Sequence, residues 1–246
     1  MVNRAKYLAL LTVLSLVSVA FADPSFKDSR FVTEQVISGL TAPVGFAFAP
    51  DGRMFVWEKA GRVRIVKDGK LLATPFLDIR DHVNRNTDRG LMGLALDPDF
   101  ANNGYVYLAY VYENQGAPTS DQPRTQRITR VKVDPANPDR ALPQETTILG
   151  KVTDPNCDAS SDCSPNNRNV HTINRLKFGP DGKLYVGIGD GAHYGSVDGG
   201  PDLRRLRSQD LNSLNGKILR LNPDGTGPSD NPFYNGDANA NRSKVY

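Results

Sequence analysis

The 246-residue chain has little sulfur and few large indoles: two cysteines, three methionines and one tryptophan. Two cysteines exclude a disulfide-dense miniprotein, and the absence of a glycine period excludes collagen. Charge of one sign is also missing, since 30 Lys+Arg against 27 Asp+Glu leave only +3. Such a balance gives no electrostatic reason to expect nucleic acid or an acidic membrane surface as a partner. Helical periodicity is scarce, which excludes a coiled coil; only 203–214 suits one short helical turn.

Long apolar runs are confined to the first residues. Arg4 and Lys6 precede an uncharged stretch from Tyr7 to Val19, and Ala20-Phe21-Ala22 forms a small-residue cleavage pattern before Asp23. The run is shorter than the roughly 20 residues of a membrane span, so residues 1–22 read as a signal peptide. Without Arg4 and Lys6 the net charge falls from +3 to +1. The expectation is an exported protein, secreted or periplasmic, with no membrane span after cleavage. In that compartment Cys157 and Cys163, close together in a turn-rich loop, are expected to pair as a disulfide.

What the chain does have is turn residues: 22 glycines and 17 prolines, above the roughly 12% average share of the two. They punctuate a repeat. Gly45-Phe-Ala-Phe-Ala-Pro-Asp-Gly-Arg-Met-Phe-Val56 recurs from Gly93 to Leu108 and again from Asn174 to Val186. Each copy is an alternating apolar run, a Pro-Asp turn and a second alternating run, the pattern of a hairpin. Pro50 and Pro98 are 48 residues apart, and the 82 residues from Pro98 to Pro180 fit one period plus an insertion. That insertion is expected as a loop over about 135–170. Further strands read at 62–66, 125–133 and 216–221.

A period in the forties with several strands per unit is the mark of propeller blades. The fold class expected is therefore all-β, a β-propeller, with about three and a half blades in residues 23–246. Closed rings use about four to eight blades, so the sequence is expected to be a fragment.

At this point a family comes into view. Gly90-Leu-Met-Gly-Leu-Ala-Leu-Asp-Pro-Asp-Phe100, His171-Thr-Ile-Asn-Arg-Leu-Lys-Phe178, Gly189-Asp190 and Gly216-Lys-Ile-Leu-Arg-Leu-Asn222 resemble the soluble quinoprotein glucose/sorbosone dehydrogenases. The resemblance implies a six-bladed propeller that uses pyrroloquinoline quinone (PQQ) and calcium. It implies a sugar or polyol substrate and an external electron acceptor. His171 matches the catalytic histidine, the base that takes the hydroxyl proton, and Asp190 the carboxylate that orients it. Asp88 and Arg89 fall in the stretch that contacts substrate and cofactor. The calcium ligands are expected mostly beyond residue 246.

Departures from the pattern support a second expectation, a non-catalytic propeller that binds carbohydrate or protein with a decayed cofactor pocket. Val170 replaces an aspartate, Asp88 a longer Gln or Glu, and Ile173-Asn174 a pair of small residues whose bulk here would obstruct a flat cofactor. Two lookalikes carry nothing. Gly187-Ile-Gly-Asp-Gly-Ala192 is followed by nothing that opens a helix, as a dinucleotide fingerprint requires. Asp237-Ala-Asn-Ala-Asn241 has Arg242 where a calcium loop needs glycine.

Overall fold

The computed structural model describes residues 27–157, 162–197 and 200–246; the expected signal peptide lies outside them. Contacts divide the chain into Met1–Val36 and Ile37–Tyr246. Of the first unit, residues 27–36 are described, with a turn in which the Phe31 N–H donates to the Asp28 carbonyl. All that follows concerns the second unit.

Three antiparallel sheets follow one another along the chain. The first contains β1 (Pro43–Phe48), β2 (Met54–Glu58), β3 (Arg62–Lys67) and β4 (Lys70–Leu71) in spatial sequence, with β5 (Leu77–Asp78) also on β3. The second is built from β6 (Leu91–Leu96), β7 (Tyr105–Tyr112) and β8 (Arg124–Asp134). Three further strands join β8: β9 (Asn137–Ala141), β10 (Thr146–Leu149) and β11 (Pro165–Asn166). The stretch expected as a loop insertion thus supplies the outer strands of this sheet as well as a loop. The third sheet has β12 (Ile173–Phe178) and β13 (Leu184–Ile188), then, after a small ribbon of β14 (Ser196–Val197) and β15 (Gly200–Pro201), β16 (Lys217–Leu221) against β13. A 3-10 helix over Leu203–Gln209 falls within the stretch expected as a short helical turn.

The repeated turns have one mechanism. In the first, the Asp51 carboxylate accepts from the Arg53 N–H and the Gly52 N–H donates to Ala49. Asp181 with Lys183 and Asp224 with Thr226 repeat the pattern, as do Gly182 with Gly179 and Gly225 with Asn222. The aspartate closes its own turn and glycine takes the left-handed corner. The second copy is longer, interrupted by a helical turn at Phe100–Asn103.

The innermost strands β1, β6 and β12 lie side by side. At Gly93 on β6 a side chain would strike the Asn174 carbonyl of β12, so glycine there lets two sheets approach backbone to backbone. Alternation does the rest. Leu108 and Tyr110 of β7 join Phe55, Val63 and Ile65 in a core between the first and second sheets. Tyr107 and Ala109 point the other way, to Leu176, Val186 and Leu219 between the second and third. The middle sheet is therefore buried on both faces. The outward faces stay open, with Phe46 and Phe48 exposed on β1 and Ile218 on β16. The stretch from Arg242 to Tyr246 is mostly a 3-10 turn over Asn241–Lys244. A single bridge joins Val245 to Leu219 on β16.

Candidate active site

His171 sits just before β12, and Asp190 just after β13. The ladder of this hairpin continues past its last paired residues, because the Gly189 N–H donates to the Thr172 carbonyl and the Gly191 N–H to the His171 carbonyl. This brings the aspartate opposite the histidine across a hairpin, with Nδ1 of His171 2.9 Å from Oδ1 of Asp190. The same carboxylate oxygen accepts from the Ala192 N–H at 3.0 Å. A carboxylate can only accept, so Nδ1 carries the proton and Nε2 is left as the free, basic nitrogen. The His171 side chain is 40% exposed and that of Asp190 22%. The ring is open to solvent while its carboxylate partner is partly shielded.

The backbone at His171 is unusual, with φ of +52°, a left-handed conformation that few non-glycine residues adopt. Its neighbours hold it there. The Asn166 side chain donates to the Val170 carbonyl, and the Thr172 hydroxyl donates to the carbonyl of Asp88. Gly189 passes so close to the His171 carbonyl that no side chain fits between them.

Asp88 is brought to this cluster. Its N–H donates to the Asn169 carbonyl, and the Asn169 amide donates to Asn86 and Thr87. Its exposed carboxylate makes no hydrogen bond or ion pair among the described residues. Arg89 behaves differently from the expectation of substrate or cofactor contact. It is fully buried, and its guanidinium donates to Asn166 and to the carbonyls of Ser120 and Gln122. Burial, with the charge of Arg124 nearby, pulls it down to about 10, which still leaves it charged at neutral pH. Its part is to hold the loops that carry the site.

Val170 and Ile173 also point inward, both among the buried residues. The bulk of Ile173, expected to obstruct a flat cofactor, instead belongs to the core. Cys157 and Cys163 form the expected disulfide. His82 pairs at 3.4 Å with Glu145, and His193 stacks on Tyr194; neither joins the His171 pair. Asn166, Gln126 and Asn215 are site-supporting residues that the sequence reading missed, because buried amides leave no local pattern.

A family model for glucose/sorbosone dehydrogenases matches residues 40–246. The chain belongs to this glucose/sorbosone dehydrogenase family. Quinoprotein glucose dehydrogenase B of Acinetobacter calcoaceticus is 29% identical over 93% of the chain and 49% of its own length. Human Hedgehog-interacting protein is 28% identical over 85% of the chain and 29% of its own length. Among solved structures, the PQQ-bound form of aldose sugar dehydrogenase from Streptomyces coelicolor is 28% identical. It superposes with a TM-score of 0.59 over 85% of this chain and 52% of that one. The chain thus spans about half the length, or less, of these relatives. In the glucose/sorbosone dehydrogenase family the three sheets are blades of a β-propeller, and His171 and Asp190 stand together at one mouth of the third blade.

Proposed function

We propose that this chain carries the proton-abstracting part of an exported PQQ-dependent dehydrogenase that oxidises a hydroxyl group of a sugar or polyol. The observation that carries the reading is the His171–Asp190 pair, with Nδ1 engaged and Nε2 free on a side chain open to solvent. Nε2 takes the hydroxyl proton of the substrate. A histidine suits this work because its ordinary pKa lies near neutral pH. Asp190 fixes the tautomer beforehand and stabilises the imidazolium that forms. Asp88, whose exposed carboxylate makes no hydrogen bond or ion pair among the described residues, is placed to accept a hydrogen bond from another substrate hydroxyl, while Arg89 keeps its loop in place from below.

PQQ supplies the hydride acceptor when bound. The described residues fit the proton-handling side of such a site. They also include cations with unused donors, among them Nη1 of Arg207 and Nε of Arg168, which are buried without a hydrogen-bond partner among the described residues. Burial lowers the Arg207 pKa, Arg204 adds to this, and the charges of Asp202 and Asp190 oppose it. No group of three or more His, Cys, Asp or Glu side chains placed to hold a metal ion occurs among the described residues. An external electron acceptor completes the cycle. The Cys157–Cys163 disulfide supports export, because such bonds persist in oxidising compartments.

The test is aldose-dependent dye reduction by the full-length protein supplied with PQQ and Ca²⁺. His171→Asn, which suits the left-handed backbone, is expected to fold and to lose turnover by at least about 100-fold. Parental turnover in that variant would remove His171 as the base.

A second reading, a propeller kept for binding carbohydrate or protein, draws on the match to Hedgehog-interacting protein, whose name records an interaction. Calorimetry with PQQ and Ca²⁺ separates the two: no heat and no spectral shift in the full-length protein favours binding alone.

A further inference from the structure

We propose that Asn215 is a positioning residue for the His171–Asp190 pair, acting at the end of a buried chain of polar side chains that begins on the second blade. The inference rests on the reading of that pair as base and orienter. Asn215, just before β16, is fully buried, and each of its side-chain polar atoms is used. Nδ2 donates to the Asp190 carbonyl at 3.1 Å and to the Pro165 carbonyl at 2.7 Å. Oδ1 accepts from the Ser164 hydroxyl at 3.0 Å. Ser164 in turn accepts at 3.0 Å from Nε2 of Gln126 on β8, and Oε1 of Gln126 accepts from the Ile173 N–H. Gln126 and Ser164 are fully buried as well.

The chain therefore has two ends of interest. One holds Ile173, two residues beyond His171; the other holds Asp190 itself. It fixes the span between the two strand ends without using the Nδ1–Oδ1 bond that the chemistry needs. An amide is required at Asn215. One NH₂ group donates to carbonyls on two separate segments, and the amide orientation is set by Ser164 on the remaining side. Such a fully satisfied buried network rigidifies its surroundings, whereas a gap in it exposes an unpaired buried group.

The decisive variant is Asn215→Asp in the full-length protein, which keeps the shape and turns a donor into an acceptor facing two carbonyls. The expected result is a fall in kcat of about 10- to 100-fold, the scale of a misplaced catalytic group, with KM within about threefold. The ¹⁵N signature of the His171 ring is expected to change from the Nδ1–H form to a tautomer mixture, as Asp190→Asn also produces. Ser164→Ala removes a single hydroxyl and provides the milder variant should Asn215→Asp fail to fold; the same ring signature is expected to shift in the same direction. An unchanged His171 tautomer in the folded variants overturns the inference, whatever happens to activity. Because this readout does not depend on turnover, it stands apart from the test of the function. Parental kcat in His171→Asn would overturn the base assignment and leave the positioning of the ring to be judged by its spectrum.

Discussion

Gly189→Ala is the sharpest probe of the site, because it adds one methyl group and touches no charged or hydrogen-bonding side chain. An added Cβ would lie 2.5 Å from the His171 carbonyl carbon and nearer still to its oxygen, whereas real Cβ atoms essentially never come within 3.0 Å of another atom. Ordinary carbon contacts lie near 3.5 Å, so the His171 backbone must move by about 1 Å. The obstacle is proximity; no left-handed φ marks Gly189 itself. Overpacking of this kind costs about 1–3 kcal/mol, or a fall in Tm of about 2–12 °C for a domain of this size. A displacement of about 1 Å at a base costs on the order of 100-fold in rate. Thermal melts and dye-linked turnover of the full-length variant read the two effects separately. A folded Gly189→Ala protein with kcat within about twofold of the parent would refute the claim that the backbone approach sets the position of His171.

Other consequences are open to measurement. Glu113 and Arg124 form a buried ion pair at 2.9 Å, and removing one charge leaves the other stranded, so Glu113→Gln is expected to cost about 3–5 kcal/mol at neutral pH. Burial works to raise the Glu113 carboxyl, but hydrogen bonds from Arg124, Asn84 and the Gln115 N–H outweigh it and hold the pKa below the ordinary value. Its stabilisation is therefore complete above the unfolded value of about 4.3 and is lost as pH falls through the lower folded one. Chemical denaturation of parent and variant should converge over that window, and a constant gap would contradict the assignment. Cys157→Ser opens a short loop and is expected to cost about 2 kcal/mol, read as a lower Tm that the parent matches when reduced.

The hairpins were legible because their cause is local. The Pro-Asp turns at 50, 98 and 180 carry their own hydrogen bonds, and alternation around them names the buried face. The stretch 135–170 was not, because β10 and β11 are short and acquire meaning only as partners of β8. The meeting of His171 and Asp190 follows from hairpin geometry once Gly189-Asp190 is placed at the far end of β13. Arg89 shows the limit. The resemblance put Arg89 in a stretch that contacts substrate and cofactor, and only the fold reveals that Asn166, Ser120 and Gln122 surround it. Asn215 was equally silent, since nothing in a sequence tells a buried amide from a surface one.

The left-handed turn at position 171 has a practical corollary for dissecting this site. Alanine is held there against its own preference, so an alanine scan mixes the loss of a ring with an unrelieved backbone penalty. Glycine separates the two. His171→Gly eases the main chain and leaves a gap beside the Asp190 carboxylate. Free imidazole added from solution can enter that gap and take up the hydrogen bond the missing side chain made.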